Sequence, residues 1–517
     1  MTLPVQQNRA VDMTLARSAP LLRTAFERHE YNSDTLVTVL GPAGLAALDR
    51  GEPAPIRRAC RNAGHLGTLI SLFILGDPVP VAEAAEALAP LSVDGATESG
   101  YIRVDGDEVT ALWDIRPLDT GNGTRWMISD HDGSLRPRTV RPDHVLGVGA
   151  ASLSLLRATP TEPVQTVLDI GTGCGVQALH AATYAQDVTA TDISERSLMV
   201  TAAASALNDI PIDLLHGSWF EPVSGRTFDQ IVANPPFVVS GPSVELTYRD
   251  SGLELDGASE IMVRESLEHL NPGGTAILLA SWIHQSGHDW RSRVASWLPD
   301  HGVDAWFVQR DIADLELYVS TWLRDADVDL RTAAGQARQE QWREALHDQN
   351  VDAIGFGFVY LRHTNSPSDI LCEDLTQAFE DPLGDEALAY FQRVAWLRDH
   401  DVLNATYQLN PAVVLEKVLT PGSEGWQPYV TRIHRGDGPR WQHEIDDLGA
   451  MVLAGVRPDG LPLNELLELA AAAVGEDSKA IVEHGVQLAQ GLIRHGILIP
   501  SDVLGDLATE TPGTSPA

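Results

Sequence analysis

The middle of this 517-residue chain predicts an α/β fold, a doubly wound parallel sheet with helices on both faces, and three observations carry that expectation. Val167 to Ile170 is a short apolar run broken only by Asp169, the pattern of a buried parallel strand, and glycines follow it at positions 171, 173 and 175. Strand-like and helix-like stretches then alternate from there to about residue 310. Finally, a second apolar strand, Asp229 to Ala233, ends on Asn234-Pro235-Pro236-Phe237.

Length and composition set the frame. The chain is too long for one core and suggests about three domains. The expected divisions are an N-terminal accessory domain at 1–150, the α/β domain at 151–365, a C-terminal accessory domain at 366–505 and a disordered tail at 506–517. The longest apolar run, Leu469 to Val474, is far too short to cross a membrane. The amino terminus lacks the basic start and apolar core of a signal peptide, so a cytoplasmic protein is expected. Cys60, Cys174 and Cys372 are too few and too scattered for a disulfide framework or a zinc site. His284 and His288 stand at i,i+4 spacing without a third ligand, so no metal is expected.

A net charge of −36 argues against a protein that coats nucleic acid. The charge is uneven, however. Residues 1–61 carry eight Arg against six acids. Arg57, Arg58 and Arg61, with Arg136, Arg138 and Arg141, are the candidates for a phosphate-contacting surface, although solvated surface is the better account of each triplet.

In chain order, Asp34 to Leu48, Pro55 to Leu75 and Val81 to Leu88 have apolar residues at helical spacing. Tyr101 to Val104 and Val109 to Trp113 flank Asp105-Gly106-Asp107, a hairpin signal. Helices followed by a hairpin suggest a helical, winged-helix-like N-terminal domain. Strands are expected at 166–170, 187–191, 211–215, 228–233, 275–281, 303–309 and 354–362. Helices are expected at 176–185, 195–207, 257–270 and 286–298. Residues 313–350, helical from Gln336 to His347, form an insertion before the last strand. Residues 366–505 show a similar succession of apolar helix ends and Gly/Pro/Asp turns, a faint repeat that suggests an α+β, winged-helix-like domain.

The chemistry concentrates at the strand ends. Three glycines let a ligand lie against bare backbone at a helix N-terminus. Their spacing is not the dinucleotide fingerprint, whose third glycine would stand at Val176. Asp169-x-Gly171-x-Gly173-x-Gly175 instead resembles motif I of the class I S-adenosylmethionine-dependent methyltransferases. Asp192 ends the next strand, where a carboxylate can accept from both hydroxyls of a ribose, although Asp192-Ile193-Ser194-Glu195 also reads as an N-cap box.

Asn234-Pro235-Pro236-Phe237 resembles the motif of the methyltransferases that act on planar nitrogens. These are the ribosomal RNA guanine and adenine N-methyltransferases and the release-factor glutamine methyltransferases, the small-methyltransferase group. The resemblance covers about 163–310, and the flanking regions give the impression of an actinobacterial protein. It implies a Rossmann-like seven-stranded core, S-adenosyl-L-methionine as cofactor, and an RNA or protein acceptor. It further implies cofactor contacts from Asp169, Gly171, Thr172, Gly173, Gly175, Asp192, Ile193, Ser218, Trp219 and Asn234, with Asn234, Pro235, Pro236 and Phe237 catalytic. Family members often carry Asp where Ser218 stands, which weakens that contact here.

The acceptor cues diverge. Phe237 is similar to the RNA enzymes, while Arg249 to Gly257 and Arg141-Pro142-Asp143 are similar to segments of the release-factor enzymes. A nucleobase exocyclic amine in RNA is the favoured acceptor. A glutamine amide in a protein, a natural-product amine, and a silent module that only binds the cofactor are the alternatives.

Overall fold

A computed structural model describes residues 11–121, 123–131, 133–136, 141–236, 238–239, 253–326, 328–377, 382–475 and 478–503. The chain divides into two compact units, Met1–Leu156 with Thr161–Asp374, and Arg157–Pro160 with Leu375–Ala517.

The first unit is organised by one sheet. We number its strands β1 (Val164–Ile170), β2 (Ala185–Asp192), β3 (Asp213–His216), β4 (Phe228–Ala233), β5 (Leu270–Gln285), β6 (His301–Asp314), β7 (Val351–Pro367) and β8 (Asp369–Asp374). Their spatial order is β3-β2-β1-β4-β5-β7-β6-β8. β1 to β5 run parallel, and β7 inserts antiparallel between β5 and β6. The first seven strands have the order of a Rossmann-like methyltransferase core. An eighth, β8, pairs parallel with β6 (Trp306 with Leu371) and was not expected. It carries the sheet to Asp374, past the expected limit at residue 365. Its composition hides it: Asp369-Ile370-Leu371-Cys372-Glu373-Asp374 is half-exposed and acidic at both ends, as befits an edge strand.

The accompanying helices are α1 (Ala150–Ala158), α2 (Val176–Ala181), α3 (Glu195–Asn208), α4 (Gly257–Glu268), α5 (Trp290–Ala295), α6 (Leu315–Asp325) and α7 (Ala333–His347). α6 and α7 are the expected insertion. Leu168, Ile231, Leu278, Phe307 and Val359 lie at the heart of the sheet's core. Chain direction across the sheet reverses between β1 and β4. Open α/β sheets bind ligands in the crevice beyond the strand carboxyl ends at such a switch point.

Residues 11–129 are mostly helical up to Glu98, then form two hairpins. Strand Val79–Pro80, helices Val81–Leu88 and Val93–Glu98, and the hairpin Ile102–Asp105/Glu108–Ala111 follow one another, and Val79 pairs with Val109. That is the winged-helix-like order. The second hairpin, Asp114–Asp119 with Thr124–Ser129, was not expected, because Arg116, Pro117 and Arg125 interrupt any apolar alternation. One buried cluster includes Leu22, Phe73 and Trp113 from this region and Val176, Leu179, Val200 and Leu207 from α2 and α3. The side chain of Asn208 brackets strand Thr124–Ser129, accepting from the Trp126 N–H and donating to the Trp126 carbonyl, each at 2.9 Å.

The second unit combines helices Leu383–Asp399, Asp447–Gly455, Leu463–Val474 and Ser478–Arg494 with the long hairpin Val413–Gly422/Gly425–Arg435. Its hairpin precedes the last three helices, whereas the N-terminal hairpins follow theirs. The faint repeat seen in sequence is therefore one of turn chemistry and not of topology.

Candidate active site

The loops after β1 and β4 meet over the switch point around a cavity of about 360 Å3. Its walls include the glycine loop, the end of β2, the turn after β3, and Asn234-Pro235-Pro236 after β4.

Gly171, Gly173 and Gly175 all have φ between +58° and +82°, where a side chain is strained. The first two line the cavity. Gly175 does not, and its requirement is packing, since a Cβ there would lie 2.8 Å from the Thr201 side chain on α3. Asp169 is 1% exposed and shapes the loop from beneath. One of its oxygens accepts from the Thr172 hydroxyl at 2.7 Å and the Ala178 N–H at 3.1 Å. Burial pushes its carboxyl up to about 7, and those two hydrogen bonds pull the other way.

Asp192 stands across the loop. Its Oδ2 accepts from the Gly173 N–H at 3.0 Å and its Oδ1 from the Ser194 N–H at 2.8 Å. The N-cap of α3 is Ser194, whose side chain accepts from the Ser197 N–H, so Asp192 is not spent on capping. Each carboxylate oxygen keeps acceptor capacity for a ligand hydroxyl. Burial raises its pKa, with the Ser194 and Gly173 N–H groups opposing.

Ile193, 56% exposed, Ser218 and Trp219 complete this side of the cavity. Trp219 holds φ +48°, a left-handed conformation rare for a bulky residue and typical of functional turns.

Asn234, Pro235 and Pro236 also line the cavity. Pro235 Cα sits 3.9 Å from where a Cβ of Gly171 would be, so the two motifs approach backbone to backbone. Phe237, Arg138 and Arg249 to Gly252 lie outside the described residues. Just beyond, the Val239 N–H donates to the Tyr318 hydroxyl of α6 at 2.6 Å, which ties the insertion to this loop. Trp322 and Asp325 of α6 also reach the cavity.

Sequence reading missed two contributors, the segment Asp143 to Ser152 and Gln177. The first has no periodicity, and only its Arg141-Pro142-Asp143 lead-in stood out. Gln177 sits in the first turn of an apolar helix, where nothing but its polarity in an apolar context marks it.

The anionic-ligand surface inferred from arginines is largely committed elsewhere. Arg57 makes two 2.7 Å hydrogen bonds to Asp77, Arg141 pairs with Asp143 at 2.8 Å, and Arg136 donates to the Gly76 carbonyl at 2.8 Å. Arg58 and Arg61 stay exposed. Among the described residues, no cluster of three or more His, Cys, Asp or Glu could hold a metal, and no helix is long and apolar enough to cross a membrane.

Residues 146–287, which span the glycine loop and Asn234-Pro235-Pro236, match the family model of the methyltransferase small domain. This segment is similar to the methyltransferase small domain. Residues 28–112 and 388–500 match two domains of unknown function, DUF7059 and DUF7782. The small domain is similar to the bifunctional methyltransferase of Rickettsia prowazekii, 26% identical over 179 residues, which are 31% of this chain and 33% of that protein. It is similar to the release factor glutamine methyltransferase of Gloeobacter violaceus, 33% identical over 127 residues, 22% of this chain and 44% of the relative. It is also similar to ribosomal RNA small subunit methyltransferase C of Klebsiella pneumoniae, 30% identical over 138 residues, 26% of this chain and 36% of the relative. The chain thus spans less than half the length of each of these relatives.

Proposed function

We propose that the protein is an S-adenosylmethionine-dependent N-methyltransferase acting on a planar amino or amide nitrogen, with a nucleobase exocyclic amine in RNA as the favoured acceptor. One observation carries the reading: the glycine loop with Asp192, and Asn234-Pro235-Pro236, line one cavity at the switch point, with Pro235 beside Gly171. The residues fit the cofactor. Asp192 would hold the ribose, Ile193, Ser218 and Trp219 the adenine, and the bare loop at Gly171 to Gly173 the methionine end. When bound, S-adenosylmethionine supplies a methyl group made electrophilic by its sulfonium.

The chain's own part is to make a poor nucleophile attack. An amino nitrogen conjugated to a ring or carbonyl has its lone pair delocalised. The Asn234 side-chain oxygen and the Pro235 carbonyl would each accept one of its hydrogens, turning the lone pair out of the π-system toward the methyl carbon. Asn234 and the Pro235 carbonyl would hold that nitrogen in line with the methyl group, which the bound cofactor would give up with the C–S electrons left on sulfur. The nitrogen becomes cationic and acidic, so its proton leaves to solvent without a strong base.

A glutamine amide in a protein is the second reading. It is favoured by the pairing of Arg57 with Asp77 and Arg141 with Asp143, which removes two of the six charges an RNA would use, and by the net charge of −36. Radiolabelled methyl transfer to fractionated cell lysate, followed by nuclease or protease digestion of the labelled pool, tests both. Label lost to nuclease supports RNA, label lost to protease supports protein, and no label in any pool opposes the methyltransferase reading.

A further inference from the structure

The proposed mechanism asks Asn234 to present its oxygen to the acceptor, yet an amide offers an oxygen and a nitrogen on nearly the same shape. Two contacts bear on that choice. Asn234 Nδ2 lies 3.5 Å from the Ser152 hydroxyl oxygen, at the long limit of a hydrogen bond. Ser152, in the first turn of α1, is itself held. Its carbonyl accepts from Nε2 of Gln177 at 2.9 Å, and Gln177 is 5% exposed on α2, the helix that the glycine loop feeds. All three residues line the cavity.

The geometry points to Ser152 as a positioning residue that orients the Asn234 amide, an inference that rests on the methyl-transfer reading. A hydroxyl can serve either end of an amide, so Ser152 alone does not choose. The acceptor completes the choice. With a substrate N–H facing Asn234, only one arrangement gives every donor an acceptor: Oδ1 toward the substrate and Nδ2 toward the Ser152 oxygen. In the reverse arrangement Nδ2 would confront the substrate N–H, donor against donor. A 3.5 Å separation leaves room for the contact to shorten in the complex with the acceptor, as catalytic hydrogen bonds commonly do. Gln177 keeps the Ser152 backbone from drifting, so the helix beside the cofactor loop and the catalytic amide are set by one chain of contacts.

A double-mutant cycle tests this, using radiolabelled S-adenosylmethionine and whichever lysate pool, RNA or protein, the wild type labels. Ser152→Ala should lower kcat about three- to tenfold, the scale of one neutral hydrogen bond, with KM for S-adenosylmethionine unchanged. Ser152→Thr should restore kcat. Adding Ser152→Ala to Asn234→Ala should change nothing further, because the residue acts through Asn234. Additive losses, or unaltered kcat in Ser152→Ala, would overturn the inference. Full turnover in Asn234→Ala would instead overturn the reading beneath it.

Discussion

The carboxylate of Asp192 accepts the Gly173 N–H at 3.0 Å, so the residue expected to bind the ribose also braces the loop expected to bind the methionine end. Calorimetry with S-adenosylmethionine should therefore show Asp192→Ala weakening binding by about 1–3 kcal/mol, the scale for hydrogen bonds to a charged group. NAD should not bind either protein. Undiminished affinity in the variant would remove Asp192 from the cofactor site.

Asn234 lines the same cavity as that loop, at the end of the neighbouring strand. Asn234→Ala should leave cofactor affinity nearly intact and lower turnover by about a hundredfold or more, because the interaction it removes acts on the reacting atom. Steady-state kinetics on the labelled pool, paired with calorimetry, separates the two effects. Equal losses in binding and turnover would place Asn234 in the cofactor site alone.

Asp169 gives a pH signature. Its folded-state pKa is about 7 against an ordinary value of 3.8, so between these values the folded protein binds more protons than the unfolded chain. The stabilising contribution is complete below about pH 4 and is lost as pH rises through about 7. Asp169→Asn keeps an acceptor for the Ala178 N–H but cannot ionise. Urea midpoints of wild type and variant should thus diverge from pH 4 to 7 in favour of the variant and run parallel above. Parallel curves throughout would mean that Asp169 is ionised in the folded protein across this range.

Arg58 and Arg61 carry the test of an RNA acceptor, since Arg57 and Arg141 are already paired. With RNA as substrate, Arg58→Glu with Arg61→Glu should raise KM severalfold. The same variant should flatten the salt dependence of binding by about one unit of log–log slope for each phosphate these two arginines neutralise. A KM that ignores both changes would favour the protein acceptor.

Much of the site was legible because its chemistry is local. Asp169, Gly171, Gly173, Asp192 and Asn234-Pro235-Pro236 each sit at or just past the end of a strand, and strand order alone brings them together. The resemblance to motif I assigns Gly175 to the cofactor with its neighbours, but its own neighbour is Thr201, 26 residues on, which spacing cannot reveal. The arginine surface misled for a related reason. Composition counts charges, whereas Asp77 and Asp143 cancel two of them through ion pairs visible only in three dimensions. Ser152 and Gln177 were illegible altogether, one in a patternless lead-in and the other on an apolar helix.

The amide of Asn208 that clasps Trp126 marks a mechanical fact about the molecule. The residues before 130 share a buried cluster with α2 and α3, so cutting the chain near residue 150 would bare Val200, Leu207 and their neighbours to water. The residues before 130 and the α/β domain accordingly share one buried core, and a calorimetric scan is expected to show them unfolding in a single transition.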